Sequence, residues 1–172
     1  MFSVCCTKKL LSRGAPKDLG PPAPSTTVLG NWYANIVFTR PEQLVVCISE
    51  RTLLPVVVPA KDVRRLPERV AAAVGQMLLS IGVSAEDVAG ELEEMREGQL
   101  SKTADRRVLG SLNDFVFHFL HGVAGYPELS AQERALRLAR MPSGAIEFAF
   151  PDEATRAAFA ASKALRAARS AA

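Results

Sequence analysis

Apolar residues recur along this chain with two periods, one of two residues and one near 3.6, and the switches between them divide it into elements. Trp32, Ala34, Ile36 and Phe38 alternate with Tyr33, Asn35 and Val37, which predicts a strand with one buried face. A turn at Arg40-Pro41-Glu42-Gln43 leads to a partner strand begun by Leu44, Val46 and Ile48. After Glu50-Arg51, the run Leu53 to Val58 gives another strand, with Pro55 and Pro59 suited to its ends or to an exposed edge. Together these make an antiparallel meander. Met1 to Leu11 reads as a further strand, and the Pro- and Gly-rich stretch from Ser12 to Thr27 as a crossing loop. Near the far end, Leu136 and Leu138, then Ile146, Phe148 and Phe150, alternate on either side of Met141-Pro142-Ser143-Gly144 and predict a β-hairpin. A turn at Tyr126-Pro127 and the capping pattern Ser130-Ala131-Gln132-Glu133 would start a short helix just before it.

The helical period appears in three other places. Pro67 fits a first helical position, and Val70, Val74, Met77, Leu78 and Ile81 form one stripe up to Gly82. Ser84 and Asp87 then cap a second helix through Val88, Leu92 and Met95 to Gly98; it is strongly acidic, which reads first as a solvated face. Leu112, Phe115, Val116, Phe119 and Leu120 stand at i, i+3, i+4, i+7 and i+8, with Ser111 as N-cap, Asp114 as an acidic variant of the capping box and Gly122 as the stop. Burying those five side chains is worth about 1.5–3 kcal/mol each before entropy, so this is a core helix. Asp152 caps a last, Ala-rich helix anchored by Phe159 and Leu165, whose final turns should fray. The pattern therefore predicts an α+β single domain over 1–150, an antiparallel sheet of about five or six strands packed against helices. Residues 151–172 follow as an Ala-rich basic C-terminal helix or tail.

Composition narrows the setting. With 172 residues, 48% apolar and 23% charged, the chain can bury a real core. A net charge of +3 permits a polyanionic partner without requiring one. Cys5, Cys6 and Cys47 are odd in number and lack CxxC spacing, which fits a reduced cytoplasm and gives no disulfide framework or metal clip. Lys8 and Lys9 follow the short apolar start instead of preceding a long one, so no signal peptide is expected, and no apolar run reaches the length of a membrane span. Walker-type, GxGxxG and GxSxG motifs are absent, and no cofactor is implied.

The stretch richest in chemistry is Leu100 to Leu120. Ser101, Lys102, Thr103, Asp105, Arg106, Arg107 and Gly110 precede the core helix, and cations before a helix start suit an anion, because the first amides lack partners and carry partial positive charge. The plainer alternative is that the arginines pair with acidic neighbours and that Ser111 and Asp114 only cap. Asp114, His118 and His121 share the opposite face at i, i+4 and i+7, suited to an acid/base pair, but no metal-binding motif accompanies them.

The segment SKTADRRVLGSLNDF, with TKKLL near the start, LGNWYAN and ERTLLPVVVPAK, resembles a family of small uncharacterised bacterial proteins known as a domain of unknown function. The SKT…R.VLGS.ND block is the most specific, and the similarity covers most of Met1 to about Pro151. It implies a single intracellular α+β domain and brings no activity, substrate or cofactor.

Three functions compete. The first is a binding or regulatory module for a phosphate-bearing ligand such as nucleic acid or nucleotide. Its candidate contacts are Lys102, Thr103, Arg106, Arg107, Ser111, Asn113 and Asp114, with Tyr33 and Asn35 on a neighbouring strand. Trp32 shares a face with Ile36 and Phe38 and belongs to the core. The second is a small hydrolytic enzyme using His118 or Asp114 as acid/base with Arg106 or Arg107 holding the substrate, which needs those groups in one pocket. The third is a protein–protein interaction module using the acidic helix or the Pro-rich loop. The acidic helix could also sit beside Lys102, Arg106 and Arg107 and compete with their ligand. Oligomeric state is open.

Overall fold

The computed structural model describes residues 1–123, 126 and 128–170, so the expected turn at Pro127 lies outside the described residues. The chain opens with β1 (Phe2–Cys6), which Thr7 ends by capping the short helix α1 (Lys8–Leu11), its hydroxyl accepting the Leu10 N–H. The strand expected to continue to Leu11 thus stops five residues earlier, where Lys8 and Lys9 would have had to enter the sheet. β2 (Trp32–Val37), β3 (Leu44–Ser49) and β4 (Pro55–Pro59) form the expected antiparallel meander.

Two helices follow, α2 (Leu66–Ser80) and α3 (Ala85–Glu94), and then a strand that the periodicity missed, β5 (Gly98–Lys102). The sheet order is β4-β3-β2-β1-β5, and β1 runs parallel to both β2 and β5. The fold is α+β on a single five-stranded sheet, as expected, but the sheet is mixed instead of antiparallel.

The remaining elements are α4 (Arg106–His118), which runs on into a π-helical turn at Phe119–Val123, then α5 (Ala131–Ala139) and α6 (Pro151–Ser170). Gly122 lies inside the π turn and is not the stop. The hairpin expected over 136–150 is replaced by α5 and a 3-10 turn at Gly144–Ile146, leaving one isolated bridge between Ser143 and Ala149. The reciprocal capping box of Ser130 and Glu133 starts α5, which buries Ala135, Leu138 and Ala139 at helical spacing. Two of those three are alanines, which carry little weight in a hydrophobic pattern, so the shorter Leu and Phe alternation misled.

Helices cover both faces of the sheet. α2 packs over β1, β4 and β5, while α4 packs over β2 and β3. Strands β1 to β3 are consequently buried on both sides apart from half-buried Asn35, the pattern of a sheet between two layers. α5 lies along β4, touching α2 and the π turn, and so covers that edge. The other edge, β5, is largely exposed. Close approach of α2 to β5 depends on Gly98, since a methyl group there would come within 2.6 Å of Phe2 Cε1 and Pro67 Cβ. The first turns of α6 are held by a Thr155–Thr52 hydroxyl hydrogen bond of 2.8 Å and by the Arg156 guanidinium donating to the Ile81 carbonyl, and Phe159 is buried.

One carboxylate is part of this core. Glu91 on α3 is 2% exposed and accepts the backbone N–H groups of Val28 at 2.7 Å and Leu29 at 3.1 Å, fixing the segment that leads into β2. Burial pushes its pKa up from the ordinary 4.5, against the pull of those two N–H groups and of Arg51. A carboxyl with a raised folded value holds its proton to higher pH when folded, so its contribution to stability is complete below the unfolded value and is lost as pH rises through the folded one. The stability difference between the wild type and Glu91→Gln, measured by urea unfolding, should therefore narrow as pH rises through and above the ordinary carboxyl range. A difference independent of pH would contradict this account.

Candidate functional site

β1, β2 and β5 are parallel, so their carboxyl ends meet at one end of the sheet, where open α/β sheets place ligands. Cys6 is in register with Ala34 on one side and with Lys102 on the other. By that register Thr7 and Thr103 leave the sheet side by side, and α1 with Lys8 and Lys9 then packs against β2 at the same end. The Thr7 hydroxyl donates to Asn35 Oδ1 at 2.8 Å, tying the end of β1 to β2.

The connection from β5 into α4 is held by a relay of backbone hydrogen bonds. Tyr33, 1% exposed, accepts the Asp105 N–H on its phenol oxygen at 3.0 Å. Asp105 then caps α4, its Oδ1 accepting the N–H groups of Arg107 at 2.7 Å and Val108 at 3.3 Å. Burial pushes the Tyr33 phenol up to about 12, so it stays protonated.

Lys8, Lys9, Lys102, Arg106 and Arg107 are exposed, and among the described residues none of them is in an ion pair. Lys9 Nζ sits 4.4 Å from the ring centroid of Phe38, which is 52% exposed. A shallow hollow of about 210 Å³ is lined by Thr103, Ala104, Asp105, Arg106 and Leu109.

Several expected contacts fall elsewhere. α4 begins at Arg106, so Ser111 is not its N-cap. Ser111 is buried in the second turn and donates to the Arg107 carbonyl at 3.3 Å. The earlier start is signalled by Val108, which extends the stripe of Leu112, Phe115 and Phe119 backwards, and by Asp105 before two residues with free amides. At the observed helix start the Asp105 carboxylate takes the Arg107 and Val108 amides, which leaves an anion here chiefly to side chains. Asn113 and Asp114 lie about 10 Å or more along the helix from Arg106. Tyr33 is buried and positions the loop instead of stacking on a ligand. Asn35 reaches the site only through Thr7.

Asp114 and His118 border a different hollow, of about 140 Å³, with Ser143 and Met141. His118 is exposed and about 18 Å along α4 from Arg106, far beyond the hydrogen-bond reach that a shared acid/base mechanism with the arginines requires. The acidic helix is also remote. The amino terminus of Met1 bonds to the Glu94 carbonyl, which places the end of α3 at the amino end of β1, about 13 Å of strand away from Lys102.

The three thiols are free and buried. Ser101 donates its hydroxyl to Cys5 Sγ at 3.3 Å, and burial pushes Cys5 to about 11, Cys6 to about 12 and Cys47 well up, so none is a ready nucleophile. Among the described residues no three His, Cys, Asp or Glu side chains are grouped to hold a metal ion, and no helix is long and apolar enough to cross a membrane.

The sequence signal for this end of the site was Lys8-Lys9 just after the mostly apolar Phe2–Cys6 stretch and Thr7, which marks the mouth of a strand. Its neighbour across the sheet could not be read without the parallel register.

The relay makes a measurable claim. Tyr33→Phe removes the acceptor for the Asp105 N–H and should cost about 1–3 kcal/mol in urea unfolding. It should also speed amide exchange at Asp105. Asp105→Ala should cost about 1 kcal/mol through the lost cap. Exchange at Asp105 unchanged in Tyr33→Phe would mean that another group holds the loop.

No curated protein and no solved structure matches the chain. A family model does, over residues 3–154, which take in β2 to β5, all of β1 but Phe2, and the basic segments at the ends of β1 and β5. The chain belongs to the family described as Domain of unknown function DUF6933.

Proposed function

We propose that the chain is a binding module for a phosphate-bearing ligand, a nucleic acid or nucleotide, held at the carboxyl ends of β1, β2 and β5. The observation that carries this reading is the Cys6–Lys102 register, which gathers two basic segments distant in sequence at one end of the sheet. Lysines and arginines without carboxylate partners keep their full charge for phosphate oxygens, and arginine adds a planar fork of donors. The Thr103 hydroxyl is a further donor beside them. Phe38, exposed and already in contact with Lys9, takes the stacking role that buried Tyr33 and Trp32 cannot fill. The Asp105 carboxylate lines the same hollow, and its two amide hydrogen bonds offset part of its repulsion of a phosphate.

Binding of a fluorescent single-stranded oligonucleotide tests the reading. With about four phosphates neutralised, the logarithm of the association constant should fall with the logarithm of salt concentration at a slope near −3. Replacing Lys8, Lys102, Arg106 and Arg107 with Ala should flatten the slope and weaken binding, with circular dichroism unchanged. Phe38→Ala should weaken binding without changing the slope. Salt-independent binding, or full affinity in the quadruple variant, overturns the assignment.

A further inference from the structure

Another cavity lies at the opposite edge of the sheet, four strand spacings or about 19 Å from β5. It is a groove of about 290 Å³ between α2 and α5, floored by β4. Arg69, Ala72, Ala73, Gln76 and Met77 line it from α2, at i, i+3, i+4, i+7 and i+8 of one helical face. Ala131 and Ala135 line it from α5, and Val56 to Pro59 from the strand. Small side chains on both helices leave the space open. The Gln132 amide donates to the Ser80 hydroxyl at 2.7 Å and bridges the helices at the end away from Arg69.

The walls are mainly apolar, yet Arg69 brings a charge into them. Its Nη2 donates to the Asp62 carbonyl at 2.9 Å, while its Nε–H is buried and has no acceptor. Among the described residues Arg69 is in no ion pair. Desolvation lowers its pKa, against the pull of the Asp62 and Glu68 carboxylates. A guanidinium without an ion pair beside apolar walls gains from an anion placed against its free nitrogen donors. An apolar trough with such a guanidinium at its end matches a ligand with a hydrocarbon body and a single carboxylate. Its volume is near the lower bound for small-molecule sites, roughly 300 Å³.

We infer that the groove between α2 and α5 binds a small amphipathic carboxylate, its chain lying on Val56, Val58, Ala73 and Met77 and its carboxylate paired with Arg69. This site is separate from the basic end of the sheet, so each can fail without the other.

Calorimetric titration of the full chain with decanoate, and with decanol as the uncharged control, tests it. Decanoate should bind at least tenfold more tightly than decanol. Arg69→Gln should abolish that preference while leaving decanol binding unchanged. Ala73→Phe, which fills the groove from a half-buried position, should remove binding of both, and amide resonances of Ala131 to Ala135 should shift on adding decanoate to the wild type only. Equal affinity for the two probes, decanoate binding that survives Ala73→Phe, or no binding to the wild type overturns the inference. Oligonucleotide binding should be the same in Arg69→Gln and wild type, which keeps the two sites distinguishable.

Discussion

Two parallel neighbours for β1 are the constraint on which the rest of this molecule depends. Parallel strands cannot be joined by a tight turn, so the chain must leave the sheet after β1 and return to the same end to begin β2. The Pro-rich segment with α1 makes that return. The route back to β5 is longer still and passes through α2 and α3. Each crossing lays chain over the sheet, and the result is burial of the central strands on both faces. The same constraint brings the ends of β1, β2 and β5 to one place, with whatever residues follow them. A purely antiparallel sheet built from the same strands would send alternate strand ends to opposite poles and separate Lys8 and Lys9 from Lys102.

The meander of β2, β3 and β4 could be read from the sequence because its turns are short and its strands are apolar. The helices α2 and α3 could be read because caps and stripes agreed. What misled was the assumption of one wet face. Val45, Cys47 and Val57 are as buried as their neighbours, so alternation carried no information about which side met solvent. β5 failed for the converse reason. Gly98, Gln99 and Lys102 are exposed, and an edge strand of such residues has no hydrophobic signature. The 136–150 segment shows a third limit, since three alternating apolar residues fit a helix turn as well as a strand.

The candidate site was legible in part. The cations of the SKTADRR stretch, and the idea that they serve an anion, came from local chemistry. The register that joins them to Thr7, Lys8 and Lys9 is a long-range property that no local pattern encodes. The helix start illustrates how a single cap decides which amides are taken. The cap is Asp105 and not Ser111, and its carboxylate holds the amides of Arg107 and Val108. Tyr33 changed role for a similar reason, its hydroxyl being used by the loop backbone instead of by a partner molecule. Glu91 and Arg69 lay beyond reach altogether, because the sequence gives no reason to bury one acid or one arginine in preference to its many exposed neighbours.

The bare edge at β5 has a bearing on how the molecule behaves in a crowded solution. Strand borders recruit other strands, and proteins blunt them with brevity, glycine and charge. Here Lys102 closes a five-residue border that begins with glycine, and on the proposed reading the guard of the edge is also a phosphate contact. On that reading, tighter packing along this border works against recognition at its tip, and both tasks rest on one ammonium group.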